Sequence, residues 1–350
     1  MAIWIFGINH KGICMRTRDE LTMLQALPLD VKVLKTKQRI KEWVEEFGVD
    51  GVYVSRSGGK DSDVLGDIVK SMYPEIPHVF VNTGLEFDSV RKHAIDVCDE
   101  VLRPEMSFPQ VITKYGYPII SKAIALKLYR IQCKPDSSYL QYFDGRTKGK
   151  SIYDASKYEF MLDAPFRISH MCCDVMKKNP AERYAELTGR KPIIGSMATE
   201  SRLRTDNWLQ HGCNAFEGNK PQSNPLSFWT EQDILRYIYE HKIEIAEAYG
   251  EVECKLRKRK VPGERCYQDV EIFNTTKADR TGCVFCMFNI SRKSSKDRFL
   301  KLKNEDPKKY DYVMRGGRFD EKGMWVPYQG LGYKFVIDWL NEHGDIGLLY

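Results

Sequence analysis

Apolar residues in VKVLKTKQRIKEWVEEFGVD recur at Val33, Leu34, Ile40, Trp43, Val44 and Phe47. That three-to-four spacing predicts an amphipathic helix, and Gly48 would end it. GVYVS follows as a short apolar run, which reads as a buried strand. A glycine turn then leads into the helical pattern SDVLGDIVKSMYP, stopped at Pro74. IPHVFVNTG reads as a second strand, EFDSVRKHAIDVCDEV as a helix opened by Glu86, and VLRPE as a third short strand. Strand and helix therefore alternate through the first hundred residues. This predicts an α/β fold: a parallel β-sheet with helices on both faces.

The rest of the chain is less regular. Residues 113–163 mix helical pattern with polar loops. KPIIGSM (191–197) reads as a strand, and TEQDILRYIYEHKI as a helix with Thr230 as its N-cap. AIWIFGI, near the start, is a strand candidate in a segment of no assignable module. After residue 246 the character changes, and CKLRKRKVPGER reads as basic and irregular. The expected organisation is an N-terminal extension (1–30), a nucleotide-binding α/β domain (31–245) and a smaller C-terminal region with a C-x-x-C pair (246–350).

Composition narrows the class only a little. The chain has 350 residues, 42% hydrophobic and 29% charged, as in ordinary globular proteins. A net charge of +6 permits anionic nucleotides or nucleic acid without demanding them. No apolar run approaches the length of about 18 residues that spans a bilayer. The opening MAIWIFGINHKGICMRTRDE has too short an apolar run, and no basic flank before it, for a signal peptide. The expected compartment is the cytoplasm, where thiols stay reduced. Ten cysteines in such a compartment point some of them toward metal or catalysis. Cys14, Cys98 and Cys133 are expected to be small buried hydrophobes.

The glycine turn carries the first chemistry. Ser55, Ser57, Gly58, Gly59, Lys60, Asp61 and Ser62 lie between a strand and a helix. Two glycines allow close backbone approach to an anion. The amides and dipole of a helix start favour phosphate. Lys60 adds charge, and the serines add hydroxyls. The turn is not a Walker P-loop, because Asp61 follows Gly59-Lys60 and Val54 stands where the first glycine should be.

SGGKDS resembles the PP-loop of ATP pyrophosphatases, which cleave ATP between the α and β phosphates. The resemblance implies an adenine nucleotide α-hydrolase-like fold. It also implies that Ser57–Ser62 hold the phosphates and that Mg²⁺ helps neutralise them. Lys60 and Asp61 are the catalytic candidates. FVNTGLEFDSVRKH resembles a segment of the phosphoadenosine phosphosulfate reductase branch of that superfamily, with Asn82 where an aspartate is common. Thr83 and Gly84 would lie beside the nucleotide. IIGSMATESRLR resembles the branch's acidic and arginine turn, so Glu200, Arg202 and Arg204 could reach a phosphate or sulfate. NPLSFWTEQDI matches a further motif of the branch through Asn224, Pro225, Leu226, Trp229 and Asp233. Trp229 and Ile234 read mainly as packing. Together these segments span about residues 50–290.

Cys172 and Cys173 are adjacent, and Cys283 and Cys286 form a C-x-x-C pair. Four thiolates suit a zinc ion or an iron–sulfur cluster. Adjacent cysteines are awkward for one tetrahedral ion but can reach different corners of a cubane. The pattern resembles the [4Fe–4S] site of assimilatory adenylylsulfate reductases, with zinc the alternative and Cys254 or Cys266 as substitute ligands. Those reductases carry a catalytic cysteine in a late E-C-G-[IL]-H segment, whereas this chain has none after Cys286. The loop thus speaks for ATP and the cysteines for a reductase relative, a combination that resembles ATP-dependent sulfurtransferases. Four protein ligands would close the iron position at which thiolation enzymes often hold sulfide.

The leading expectation is an ATP-dependent sulfurtransferase that adenylates an acceptor. It would need a sulfur donor protein or a thiol reductant. The basic runs 255–265 and 291–298 make nucleic acid one candidate acceptor. A phosphoadenylyl or adenylyl sulfate reductase is the second reading. A non-catalytic nucleotide- or redox-sensing module is the third.

Overall fold

The computed structural model describes residues 16–149, 151, 153–260, 266–290 and 296–350. The AIWIFGI strand candidate and Cys14 lie outside the described residues. In chain order the elements are α1 (Arg18–Gln25), α2 (Leu29–Phe47), β1 (Val52–Arg56), α3 (Lys60–Met72), β2 (His78–Val81), α4 (Asp88–Val97), β3 (Glu100–Leu102), α5 (Phe108–Tyr115), β4 (Ile119–Ile120) and α6 (Lys122–Cys133). The chain continues through α7 (Asn179–Thr188), β5 (Lys191–Ile194), α8 (Arg202–His211), β6 (Asn214–Ala215), β7 (Gln222–Ser223), α9 (Glu231–His241), β8 (Val252–Lys260) and β9 (Tyr267–Thr275). It closes with β10 (Met287–Phe288), α10 (Arg298–Glu305), α11 (Pro307–Met314), β11 (Arg318–Phe319), β12 (Trp325–Val326) and α12 (Tyr333–Gly344).

The chain divides into two units, and not at the boundary near 245 that composition suggested. One comprises the described residues up to Leu102 together with Ala181–Thr281; the other comprises Arg103–Pro180 and Gly282–Tyr350. Residues 246–281 therefore belong with the glycine loop. Both cysteine pairs, although far apart in sequence, belong to the second unit.

The first unit is built on a six-stranded sheet in the order β3-β2-β1-β5-β7-β6. Every pairing is parallel except β6 with β7. Central β1 is registered against β2 through Val54↔His78 and against β5 through Val54↔Ile193. A parallel strand is covered on both faces, so it reads as an unbroken apolar run. Val52, Tyr53 and Val54 are accordingly all buried. The core of this unit gathers Trp43, Val54, Leu65, Ile193, Trp229 and Ile234. Each such aliphatic side chain contributes about 1.5–3 kcal/mol on burial.

The expected helix at 31–47 is α2, ended by Gly48 at φ +76°. Its buried face is shifted from the simple hydrophobic reading: Leu34 is 67% exposed, while Lys32 and Thr36 are buried. The reason is polar. Lys32 Nζ donates to Asp233 Oδ2 at 2.6 Å and to Gln25 O at 2.7 Å. Trp229 Nε1 donates to Thr36 Oγ1 at 2.9 Å. Asp233 also accepts from the Thr230 amide at 2.7 Å, completing a capping box at α9. Asp233 and Trp229 thus hold α2 against α9.

The CKLRKRK segment is not irregular. It forms β8, paired antiparallel with β9 from Val252↔Thr275 to Lys260↔Tyr267. The many cations hid an alternation in which Val252, Cys254 and Leu256 share one face.

Among the described residues, the second unit has only short strand pairs, β4 with β10 and β11 with β12. Its core is aromatic. Tyr117 OH donates to Leu331 O at 2.8 Å and Tyr333 OH to Phe285 O at 2.8 Å, which satisfies two buried hydroxyls. Among the described residues, no helix is long and apolar enough to cross a membrane.

Candidate functional site

The loops after β1, β2 and β5 open on the same sheet edge, because these strands are parallel neighbours. Ligands of such sheets gather at that edge. Three of the sequence motifs lie there: Ser57–Gly59, Asn82–Gly84 and Gly195–Glu200.

Ser55 is in β1 itself, and the turn starts after Arg56. Gly58 has φ +71°, and a Cβ there would lie 2.6 Å from Val90 O. Only glycine fits, because the loop is pressed onto α4. The hydroxyls brace the loop from inside. The Ser57 amide donates to Ser62 Oγ at 3.2 Å, Ser62 Oγ donates to Gly59 O at 2.7 Å, and the Gly59 amide donates to Ser57 Oγ at 3.3 Å. A Cβ on Gly195 would lie 3.0 Å from Asp61 O, so the end of β5 also closes on the start of α3.

Among the described residues, no side chain caps α3 at Gly59. Its N-terminal dipole and amides therefore remain available to an anion. Lys60, the first residue of the helix, is 3% exposed. Its Nζ donates to Asp279 O at 2.8 Å, pairs with Glu231 at 3.0 Å and stands 5.5 Å from the centre of the Tyr249 ring. Tyr249 is fixed in turn by its hydroxyl, 2.5 Å from Thr281 Oγ1. Burial raises the Tyr249 phenol above its ordinary range. Asp61 Oδ1 is buried without a hydrogen-bond partner among the described residues. Burial pushes the Asp61 carboxyl up, and the charges of Lys60 and Arg280 pull it back.

The acidic and arginine turn is only partly as expected. Glu200 accepts from the Met197 amide at 2.9 Å, pairs with Arg204 and lies 3.5 Å from Arg280. Arg204 and Arg280 are the arginines whose charges reach Asp61. Arg202 is directed elsewhere. Its side chain is 75% exposed and lies 3.8 Å from Asp206. Residues two apart on a helix point to nearly opposite sides, so α8 can aim Arg204 or Arg202 at the loop but not both.

Thr83 is buried on the edge beside the glycine loop. Its Oγ1 donates to Glu86 Oε1 at 2.7 Å and accepts from the Leu85 amide at 3.1 Å. The Gly84 amide donates to Asn82 Oδ1 at 3.1 Å. Glu86 does not open the helix, which starts at Asp88; it locks the turn instead. Sequence reasoning missed Tyr249, Glu231, Asp279, Thr281 and Arg280. Each comes from a segment without a phosphate-site pattern, and only the fold brings it to Lys60.

Behind the loop lies a buried polar network. Arg56, the last residue of β1, donates to Asp63 Oδ1 at 2.5 Å. His93 Nε2 lies 3.1 Å from the other Asp63 oxygen. Arg56 also reaches His78 Nδ1 at 3.3 Å, so that nitrogen is the acceptor. The glycine loop is thus stapled across its base, from strand end to first helical turn.

In the second unit, Cys172 and Cys173 begin a helical turn that passes into a π-helical stretch, Asp174–Lys178. Such stretches are frequent at functional sites. Cys172 Sγ and Cys173 Sγ are 3.9 Å apart. The hydrogen bond between them and burial push the Cys172 thiol far up, and the charges of Cys286 and Cys283 add to the rise. The same bond lowers Cys173 to about 6, with help from Lys122. Cys283 and Cys286 lie on one turn, with the Cys286 amide donating to Cys283 O at 3.1 Å. The Phe288 amide donates to Cys286 Sγ at 3.4 Å. All four thiols therefore lie within electrostatic reach of one another, but among the described residues no three His, Cys, Asp or Glu side chains converge as on a single metal ion. Cys254 and Cys266 are in the other unit, on β8 and at the start of β9. Cys98 is half-buried, its thiol pushed up to about 12 by desolvation, but Cys133 is exposed at the end of α6 rather than buried.

The phosphoadenosine phosphosulfate reductase domain model matches residues 51–287. The chain belongs to this family. It is the reductase-like branch of the PP-loop ATP pyrophosphatase superfamily. No curated protein matches the chain. The family match starts one residue before β1 and ends one residue after Cys286, so it includes the glycine loop, the Glu200 turn and both cysteine pairs. Family members are typically enzymes, and membership supports reduction or a related transfer of sulfur.

Proposed function

We propose that the protein is an ATP pyrophosphatase-type sulfurtransferase. The carrying observation is the Ser57–Ser62 cradle: an uncapped helix start, Gly58 closed against the backbone of α4, Gly59 closed against the Ser57 and Tyr249 hydroxyls, and a buried lysine. A cradle of this form suits a polyphosphate better than a single sulfate. In the proposed reaction an acceptor oxygen attacks the α-phosphorus of ATP, the α–β bridge breaks, and pyrophosphate leaves with its charge met by Lys60 and the α3 amides. The terminal sulfur of a donor protein's persulfide then displaces AMP, and two equivalents of a thiol reductant cleave the resulting S–S bond, leaving sulfur on the acceptor, the donor as a free thiol and the reductant as its disulfide. Arg204 and Arg280 are placed to offset negative charge beside Asp61. The orphan buried oxygen of Asp61 fits a ligand of Mg²⁺, which would neutralise the departing phosphates.

The donor set of Cys172, Cys173, Cys283 and Cys286 fits a [4Fe–4S] cluster. It is all thiol, it is shared within one unit, and its members are near one another without closing on one ion. Lys122 and Lys177 act electrostatically on Cys173, which suits an anionic cluster. A bound cluster would supply electron transfer or a structural clamp. Zinc is the alternative.

The test is pyrophosphate release from ATP by anaerobically purified protein, alongside affinities for ATP and phosphoadenylyl sulfate. Tighter ATP binding that is lost in Lys60→Ala supports the proposal. Tighter phosphoadenylyl sulfate binding, with sulfite released in the presence of a dithiol, would replace it with the reductase reading that the family match also favours.

A further inference from the structure

The β8–β9 pair is a two-stranded ribbon, and its two faces differ in charge. Residues directly across from one another share a face. One face carries Cys254 opposite Phe273, Leu256 opposite Glu271 and Lys258 opposite Asp269. This face is anchored. Phe273 is buried and its ring centre lies 5.5 Å from that of Tyr239 on α9. The backbone of Phe273 exchanges two hydrogen bonds of 2.9 Å with the Gln232 side chain, also on α9.

The other face carries Lys255 opposite Ile272, Arg257 opposite Val270 and Arg259 opposite Gln268. All three cations are exposed. Its one acid in the described ribbon is Glu253, 2.8 Å from Lys255. The acids of β9 thus turn toward α9 and leave a row of cations on the opposite side. Alternate residues of a strand are about 6.8 Å apart, so the row is about 14 Å long.

The ribbon is also fastened at its base. The Thr276 amide donates to Glu251 O at 2.9 Å, and the Lys277 amide donates to Tyr249 O at 3.1 Å. One leg therefore leaves from Tyr249, whose ring faces Lys60, and the other returns to Asp279, whose carbonyl holds the Lys60 ammonium.

We propose that this ribbon is a docking arm for double-stranded DNA, with Lys255, Arg257 and Arg259 entering the major groove. The complement of an exposed row of cations is a polyanion. A two-stranded ribbon fits the major groove of B-form DNA, about 12 Å wide. The major groove of an A-form RNA helix is too deep and narrow to admit it. DNA is thereby also the acceptor class for the proposed function. That second statement rests on the ATP reading, whereas docking requires no chemistry at the glycine loop.

The test is fluorescence anisotropy of a labelled, mixed-sequence DNA duplex with the full chain, without nucleotide, across a salt series. Combined Lys255→Ala, Arg257→Ala and Arg259→Ala should weaken binding at least about tenfold and reduce the salt slope by about 2.7. A control with the same charge loss on α10 and α11, Lys301→Ala, Lys303→Ala and Lys308→Ala, should leave affinity unchanged. If the ribbon triple variant unfolds, Arg257→Gln with Arg259→Gln keeps an aliphatic stem opposite Val270 and Gln268 and should still lower affinity and slope. Equal weakening by ribbon and control variants, tighter binding to an RNA duplex, or no DNA binding would overturn the proposal. DNA binding by the ribbon without DNA-stimulated pyrophosphate release would leave the arm standing and remove DNA as the acceptor.

Discussion

Lys60 and Glu231 form an ion pair of 3.0 Å in which the lysine is almost wholly buried and the glutamate side chain is 49% exposed. The charge that the glycine loop would offer to a phosphate is thus already shared with a carboxylate from the first turn of α9. An incoming polyphosphate must compete with that carboxylate. A pair this open to water is worth about 0.2–1 kcal/mol. Glu231→Gln should therefore tighten ATP·Mg²⁺ binding by up to about fivefold in titration calorimetry. Weaker binding in this variant would mean that Glu231 positions Lys60 rather than competing for it.

Asp63 and Arg56 join the two ends of the loop inside the protein. Asp63→Asn keeps the shape but leaves a buried guanidinium without its countercharge. Breaking one side of such a pair costs about 3–5 kcal/mol. The urea midpoint should fall accordingly, and nucleotide affinity should fall with it as the loop slackens. A loss below about 1 kcal/mol, within the range of ordinary surface changes, would show that the network does not hold the loop.

These two relationships also mark what the sequence could and could not reveal. The alternation of β1, α3, β2 and α4 was legible because each element obeys its own period. SGGKDS was legible because a phosphate cradle needs contiguous residues. Glu231, Tyr249 and Arg280 were not legible, because they come from distant segments and carry no local pattern. Arg202 was misplaced for a related reason: its neighbour Arg204 has the same chemistry, and only the phase of α8 separates them. The ribbon was hidden because its cations masked a two-residue period.

His78 carries a pH dependence of definite sign. Burial, and then the charge of Arg56, lower its pKa from 6.5 to about 4. The unfolded chain therefore takes up a proton before the folded one does. Stability is complete above pH 6.5 and falls as the pH drops from there toward 4, by up to about 3 kcal/mol. His78→Gln should flatten that part of the profile. The difference between wild type and variant, from urea melts at pH 7 and pH 4.5, isolates it from the titration of the carboxylates. Parallel profiles would mean that His78 titrates normally in the folded protein.

The four clustered thiols make separable predictions about metal. Thiolates gathered this closely repel one another: the hydrogen bond to Cys173 and burial raise Cys172 most, and the charges of Cys173, Cys286 and Cys283 add to the rise. A soft cationic centre relieves that repulsion, so each member matters to retention. Anaerobically purified wild type should contain about four irons and four labile sulfides per chain, as a Cys-ligated cubane requires. Cys172→Ser, Cys173→Ser, Cys283→Ser and Cys286→Ser should each lose most of both. Cys98→Ser and Cys133→Ser should keep them. One zinc per chain without sulfide, lost in the same four variants, would keep the site and change the metal. Wild type with neither metal, after expression with both supplied, would leave the four cysteines as a reduced thiol cluster and remove the iron–sulfur reading.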